Sequence, residues 1–156
     1  MRRPVKNRNI PKPDIKFNSA KVGKFINRVM VEGKKSIAQT VVYDAFDVIK
    51  EKEKVENPLE VFDTALKNVA PALEVRSRRV GGANYQVPRE VRPERRLYLA
   101  MTWIIDAANA GKGRKMALKL ADEIILASKN EGEAIKKKEN TLKMAEANKA
   151  FAHFAW

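Results

Sequence analysis

Cysteine is absent from this chain of 156 residues, and histidine occurs only once. Without cysteine there is no disulfide framework and no thiolate metal site, which suits an intracellular protein. The lone His153 has neither cysteine nor paired carboxylates to work with, so we expect no metal site, no cofactor and no catalytic dyad. No stretch approaches the roughly 20 apolar residues of a membrane span. No apolar block follows the N-terminus, so a secretory signal is not expected either.

Acidic charge is scarce relative to basic charge. The chain has 32 Lys and Arg against 19 Asp and Glu, a formal net charge of +13. This excess predicts a polyanionic partner, with nucleic acid as the first candidate and an acidic membrane as the second. The net charge is +9 over residues 1–35 and +5 over 76–96, but −4 over 36–74. We interpret this asymmetry as a basic binding face with a solvated back.

The most informative stretch is 76–96, which contains seven arginines, two glutamates and no lysine. The arginine fork grips phosphate with two hydrogen bonds, whereas lysine is a hydrated point charge. Apolar and polar residues alternate on both sides of Gly81-Gly82, which predicts an antiparallel two-stranded ribbon at about 73–90. Pro88 cannot donate to a ladder, so its strand should be an edge or a free arm. Because an isolated ribbon is marginally stable, we expect it to project from the body, to be mobile in the free protein and to find its second layer on a partner.

Apolar residues at helical spacing predict six helices in a single mainly α domain, with the ribbon between the third and fourth. Ser19 is expected to cap the first helix and Gly33 to end it. The second helix should run over about 37–54, with Ser36 as a possible cap and a core stripe of Ile37, Val41, Ala45, Val48 and Ile49. The remaining helices should begin near Asn57-Pro58, Arg92-Pro93, Lys115 and Gly132. Trp103 is expected in the core.

The predicted organisation is a flexible basic arm at 1–18, a helical domain at 19–148 and an aromatic tail at 149–156. The candidate RNA-binding residues are the basic side chains of the arm, the first inter-helix loop, the ribbon and two helix ends: Arg2, Arg3, Lys6, Arg8, Lys34, Lys35, Arg76, Arg78, Arg79, Arg92, Arg95, Arg96, Arg114, Lys115, Lys136, Lys137 and Lys138. The aromatic tail is expected to dock on the body, on RNA bases or on a neighbouring protein.

Three function classes were compared. A structural RNA-binding protein fits the clustered basic charge, and specificity would come from the shape of a folded RNA junction. A basic architectural DNA-binding protein is the alternative, but no apolar wedge sits at the Gly81-Gly82 tip. An enzyme is not expected, because paired carboxylates in a basic cleft and cofactor motifs are missing. Gly33-Lys34-Lys35-Ser36 is not a phosphate loop, since Arg28 stands where that motif requires another glycine.

Several long motifs resemble one known family. The stretches 75–88 and 91–96 are similar to the hairpin signature of bacterial small-subunit ribosomal protein seven, the S-seven family. The segments Glu32-Gly-Lys-Lys35, Lys136-Lys-Lys-Glu139 and 144–153 resemble its first inter-helix loop, sixth helix and tail. The resemblance covers nearly the whole chain. One departure is Phe154-Ala155-Trp156, where family members commonly have Tyr-Arg-Trp, so this tail lacks that hydroxyl and that arginine.

The resemblance implies six helices with a ribbon between the third and fourth, in agreement with the residue patterns. It also implies a cytoplasmic protein of the small ribosomal subunit that is a primary binder of ribosomal RNA and nucleates assembly of the head domain. The implied neighbours are exit-site tRNA and ribosomal proteins nine and eleven, with no membrane. The ribbon tip would face the tRNA through Arg79, Gly81, Gly82, Asn84 and Tyr85.

Overall fold

A computed structural model describes residues 12–154 of the chain. The described part is mainly helical and contains one two-stranded antiparallel sheet. In chain order its elements are α1 (Ala20–Val29), α2 (Lys35–Glu53), α3 (Pro58–Val69), β1 (Leu73–Val80), β2 (Ala83–Glu90), α4 (Pro93–Ala110), α5 (Met116–Ser128), α6 (Glu133–Ala147) and a C-terminal 3-10 segment (Lys149–Phe154). The predicted six helices, and the ribbon between the third and fourth, are therefore confirmed. Residues 1–11 of the predicted basic arm lie outside the described residues, and 12–18 lie within them.

The chain divides into two compact units, residues 1–40 and 41–156. Within the first unit, Val22, Phe25 and Ile26 of α1 are buried. Within the second unit, α3, α4, α5 and α6 pack on one another around a core of aliphatic and aromatic side chains. Trp103 of α4 is 7% exposed, so its predicted place in the core is confirmed.

Two helix starts follow directly from local sequence. Asn57 caps α3, because its side-chain oxygen accepts the Leu59 N–H at 3.1 Å. Pro58 and Pro93 occupy the first helical positions of α3 and α4, where a missing N–H has no consequence. α3 ends at Val69, two residues before Pro71, and α4 ends at Ala110, just before Gly111.

The junction between α1 and α2 differs from the prediction. α1 ends at Val29, because the chain becomes extended at Met30 (φ −59°, ψ 131°). Gly33 is therefore no C-cap; it lies in the loop at φ 73°, next to Glu32 at φ 53°. These left-handed angles turn the chain directly into α2. α2 starts at Lys35, so Ser36 lies inside the helix, and its carbonyl accepts the Thr40 hydroxyl.

Two further expectations about helix ends and faces need correction. Ser19 stands at the N-cap position of α1, but its side chain makes no capping hydrogen bond. The predicted core stripe of α2 is right at Ala45 and Ile49 but rotated around the helix at its other positions. Ile37 is 59% exposed, and the buried residues are Ala38, Val42, Ala45, Phe46 and Ile49. The large Phe46 ring sets this rotation, because it packs against Phe62 of α3 at 5.4 Å between centroids.

The ribbon has the predicted register and turn. Leu73 pairs with Glu90 and Val80 with Ala83, so Gly81 and Gly82 form a two-residue turn at φ 58° and 90°. The expectation that the ribbon lacks a second layer within the chain is wrong. β1 packs against α6 and β2 packs against the 3-10 segment, so that Val87 and Pro88 are buried. The strands are edges of a two-stranded sheet, as Pro88 requires.

Candidate nucleic-acid interface

The base of the ribbon brings arginines from two elements to one carboxylate. The Oε1 of Glu74 in β1 lies 2.7 Å from the Nε of Arg76 in an ion pair, and its Oε2 accepts a hydrogen bond from the Nε–H of Arg95 at 3.3 Å. The guanidinium of Arg95 also lies 4.9 Å from the ring centre of Tyr98, one turn further along α4. Arg76 and Arg95 of the ribbon and of α4 therefore form one cluster. The two arginines are among the candidates predicted from the sequence, whereas Glu74 and Tyr98 are not.

Two more candidate arginines lie beside this cluster in the chain. Arg92 stands at the N-cap position of α4, and Arg96 occupies its first turn with its backbone N–H bonded to the Arg92 carbonyl at 2.8 Å. Both side chains are exposed. The start of α4 thus presents three arginines within five residues, next to the base of β1. Such a set can contact several phosphates of a folded RNA from one side.

The middle of the ribbon is covered by the C-terminal segment. Tyr85 packs against Phe151 and Phe154, with ring centroids 5.1 and 5.4 Å apart. Arg78, the cross-strand partner of Tyr85, donates from Nη1 to the Phe154 carbonyl at 3.3 Å. The C-terminal segment thus packs on the chain's own ribbon, which is one of the docking sites expected for the aromatic tail. Trp156 lies outside the described residues.

The exposed tip of the ribbon is shorter than the sequence suggested. Tyr85 was expected to be a tip residue, but it is half-buried against the tail. Beyond the Arg78–Tyr85 pair, only two rungs and the Gly81-Gly82 turn remain, which at 3.3 Å per residue is about 7–10 Å. Arg79, Gly81, Gly82 and Asn84 are exposed there. The tip of the ribbon that extends beyond the covered pair is therefore residues 79–84.

The basic corner between α4 and α5 is partly neutralised within the chain. Arg114 lies 3.2 Å from Oδ2 of Asp122, and Lys52 lies 2.5 Å from Oδ1 of the same carboxylate. Lys115 occupies the N-cap position of α5 and is exposed. Arg114 remains 68% exposed, so its contact with Asp122 is a surface ion pair of small energy that RNA can displace.

The three consecutive lysines of α6 have different surroundings. Lys136 bonds to Glu133 at 2.6 Å, which raises the pKa of the lysine, and Lys137 faces Asp106 at 3.4 Å. The ammonium of Lys138 instead donates to the backbone carbonyl of Asn68 at 2.6 Å, at the end of α3. Lys138 is half-buried and holds a helix terminus, whereas Lys136 and Lys137 are exposed. Within this run, Lys138 therefore stabilises the end of α3, whereas Lys136 and Lys137 are accessible to a ligand.

Asn68, at the end of α3, also makes long-range hydrogen bonds through its own side chain. The side-chain amide of Asn68 donates to the carbonyls of Ala127 and Ser128 at 3.0 and 2.9 Å. These carbonyls lie at the C-terminal end of α5, and that of Ala127 also accepts the backbone N–H of Asn130 at 3.2 Å. α3, α5 and α6 thus meet at one residue, which neither apolar spacing nor capping patterns in the sequence could indicate.

The remaining candidates lie in or near the first unit. Lys34 bonds to Glu32 across the loop at 2.7 Å and stays 61% exposed. Lys35 begins α2 and is exposed. Arg2, Arg3, Lys6 and Arg8 lie outside the described residues, so their contribution to binding stays a prediction.

Comparison with known proteins gives the chain a family. Residues 1–149 match the family model described as "Ribosomal protein S7p/S5e". The chain belongs to this family. The Small ribosomal subunit protein uS7 of Thermotoga maritima is 61% identical over 155 residues, which cover 99% of each chain. The uS7 proteins of Caldanaerobacter subterraneus subsp. tengcongensis and Francisella tularensis subsp. holarctica are each 59% identical, over 153 and 144 residues, covering 98% and 92% of this chain and 97% and 92% of theirs.

Membership of the S7p/S5e family establishes the broad function. The family is structural and non-enzymatic, so the chain is an RNA-binding component of the small ribosomal subunit, within the ribosome in the cytoplasm. Among the helices of residues 12–154, none is long and apolar enough to cross a membrane. Over the same residues, no three His, Asp or Glu side chains gather in the way a metal ion requires.

Proposed function

We propose that this chain binds the head-domain ribosomal RNA early and nucleates assembly of the head of the small subunit. One observation carries the proposal. Arg76 and Arg95, from two different elements, converge on the ribbon base beside the exposed Arg92 and Arg96. A cluster fixed on a helical body can match the spacing of phosphates at an RNA junction, whereas scattered surface lysines cannot. Additional phosphate contacts would come from the arm, Lys34 and Lys35 in the first unit, and from Arg114, Lys115, Lys136 and Lys137 in the second.

The tip of the ribbon has a separate role in this proposal. Residues 79–84 lie beyond the pair that the tail covers, and nothing lies within 4 Å of a Cβ built at Gly81 or Gly82. A short, exposed, glycine-rich turn can approach a backbone closely. The tip would face the exit-site tRNA at the subunit interface, with ribosomal proteins nine and eleven of the small subunit as neighbours.

Two variants test this division. Replacing Arg76, Arg95 and Arg96 with alanine should weaken binding to a head-domain RNA fragment, since each lost charge-assisted hydrogen bond contributes about 1.5–3 kcal/mol when desolvated and less when exposed. Deleting Val80–Asn84 should leave that affinity largely intact but lower exit-site tRNA occupancy on assembled ribosomes. Filter binding and tRNA occupancy are the two measurements. A control in which Lys50 and Lys67 become alanine removes charge from the acidic segment 36–74 and should have little effect per charge.

Two results would refute the division. If the tip deletion abolishes RNA binding as thoroughly as the triple substitution, then the ribbon is one undivided anchor. If the control weakens binding as much per charge removed, then only total charge matters, and the ribbon base has no special place in recognition.

A further inference from the structure

An acidic side chain stands at the centre of the basic cluster. The Glu74 side chain is 12% exposed, and each of its oxygens faces one arginine: Oε1 forms an ion pair with the Nε of Arg76 at 2.7 Å, and Oε2 accepts the Nε–H of Arg95 at 3.3 Å. A negative charge at this place repels a polyanion and by itself weakens RNA binding. A second, favourable role of the carboxylate would have to offset this repulsion. The geometry of the contacts between Glu74 and the two arginines indicates such a role.

Both arginines bind Glu74 through Nε. A guanidinium carries five N–H donors in a rigid plane, and a contact through Nε engages one side of that plane. The terminal nitrogen pair, which forms the two-pronged grip on phosphate, is left for another acceptor. The side chains of Arg76 and Arg95 remain 53% and 44% exposed, so such an acceptor can reach them.

The orientation of Arg95 is restrained from a second direction. Its guanidinium lies 4.9 Å from the ring centre of Tyr98, while its Nε points to Glu74. The guanidinium is thus contacted at Nε by a carboxylate and by an aromatic ring as well. A flexible side chain held in this way gives up less conformational freedom when a ligand arrives.

We propose that Glu74 is a positioning residue for RNA binding, which holds Arg76 and Arg95 by their Nε groups so that their terminal nitrogens face phosphate in a fixed arrangement. The inference rests on the proposed function, because it assumes that the ribbon base grips RNA. The effect that it predicts for neutralising Glu74 is opposite in sign to the effect predicted by a purely Coulombic account. Coulombic attraction alone predicts that neutralising Glu74 tightens RNA binding, whereas positioning predicts that it weakens binding.

The primary test is Glu74→Gln in the full-length protein, with binding to a head-domain RNA fragment measured over a potassium chloride series. Glutamine has nearly the same shape, but its amide offers one acceptor oxygen and sets an NH₂ donor against the second arginine. Since ordering two long side chains on binding is unfavourable, we expect affinity to fall about 5- to 100-fold. The salt dependence should change little, because the same phosphates are still neutralised.

A double-mutant cycle separates positioning from stability. Changing Arg76 and Arg95 together to lysine keeps both charges but removes the planar forks. The lysine pair should weaken binding strongly when Glu74 is present and much less when it is glutamine, because there is then little arrangement left to lose. A role of Glu74 in folding alone would lower the thermal midpoint of the free protein and leave the two effects on affinity additive.

The outcomes are distinguishable. Unchanged or tighter binding by Glu74→Gln overturns the inference, as do additive effects in the cycle. If Glu74→Gln does not fold, the lysine pair alone decides: full affinity in that variant also overturns it. If replacing Arg76 and Arg95 with alanine leaves affinity unchanged, the failure lies in the proposed function, because the ribbon base then does not bind RNA.

Discussion

Tyr85 should stabilise the ribbon through the C-terminal segment, and Tyr85→Leu tests this. Leucine keeps apolar bulk but removes both ring–ring contacts, at 5.1 Å to Phe151 and 5.4 Å to Phe154. Each aromatic pair contributes about 0.5–1.5 kcal/mol beyond the area it buries, so the loss should be about 1–3 kcal/mol. At 1.4 kcal/mol per factor of ten, local opening of the ribbon should become about 5- to 150-fold more frequent.

Hydrogen exchange of the free protein measures this opening directly. Amides of β1 and β2 should lose protection in Tyr85→Leu, while those of α3 and α5 keep it, because the ribbon can open without the helical core. Met144→Ala is the control, since Met144 lies on α6 but is 52% exposed. Equal protection of the ribbon in wild type and Tyr85→Leu would show that the aromatic contacts do not hold it. Loss of protection throughout the chain would show that ribbon and core unfold together.

Three further substitutions probe the fold. Asn57→Ala removes the oxygen that caps α3 and should lower the free energy of unfolding by about 0.5–2 kcal/mol in a denaturant titration; no change would mean that the cap is replaced by water. Gly132→Ala should destabilise by about 1–3 kcal/mol, because Gly132 has φ 96° and its Cβ would lie 2.8 Å from Oε1 of Glu123; a neutral result would require that carboxylate to move. Burial raises the pKa of Glu123, although its Oε1 accepts the Ala134 N–H at the start of α6. Between the unfolded and folded pKa values, the folded protein therefore binds a proton that the unfolded chain has released. The free energy of unfolding falls as the pH rises through this range. Glu123→Gln should reduce this fall, and thermal unfolding from pH 4 to pH 8 measures it; parallel curves for the two proteins would contradict the assignment.

The features that sequence reasoning found are those encoded by neighbouring residues. The Gly81-Gly82 turn, the Asn57 cap and the prolines at the first positions of α3 and α4 each depend on a few consecutive residues, and each was predicted. The rotation of α2 was missed because apolar residues occupy more than one face, and only the packing of Phe46 on Phe62 decides between them.

The candidate site also has some features that local sequence shows and others that depend on distant residues. Its arginines are visible as a run without lysine, so the ribbon could be selected from composition alone. Their partners are not visible, because Arg95 reaches Glu74 from 21 residues away and Arg78 reaches the Phe154 carbonyl from 76. Alternation along β1 does place Glu74 and Arg76 on the same face, which was the one local signal for the shared carboxylate.

The meeting of three helix ends at Asn68 has a consequence for the order of events during synthesis. Asn68 reaches the end of α5 across 59 and 60 residues, and Lys138 reaches Asn68 across 70. The carbonyl of Asn68 therefore keeps water as its partner until residue 138 has left the ribosome that makes the chain. Long-range contacts of this kind close late. The helical body should become resistant to protease only when nearly the entire chain has emerged, so nascent chains that stop before α6 should be cleaved readily, and those that extend just beyond it should not.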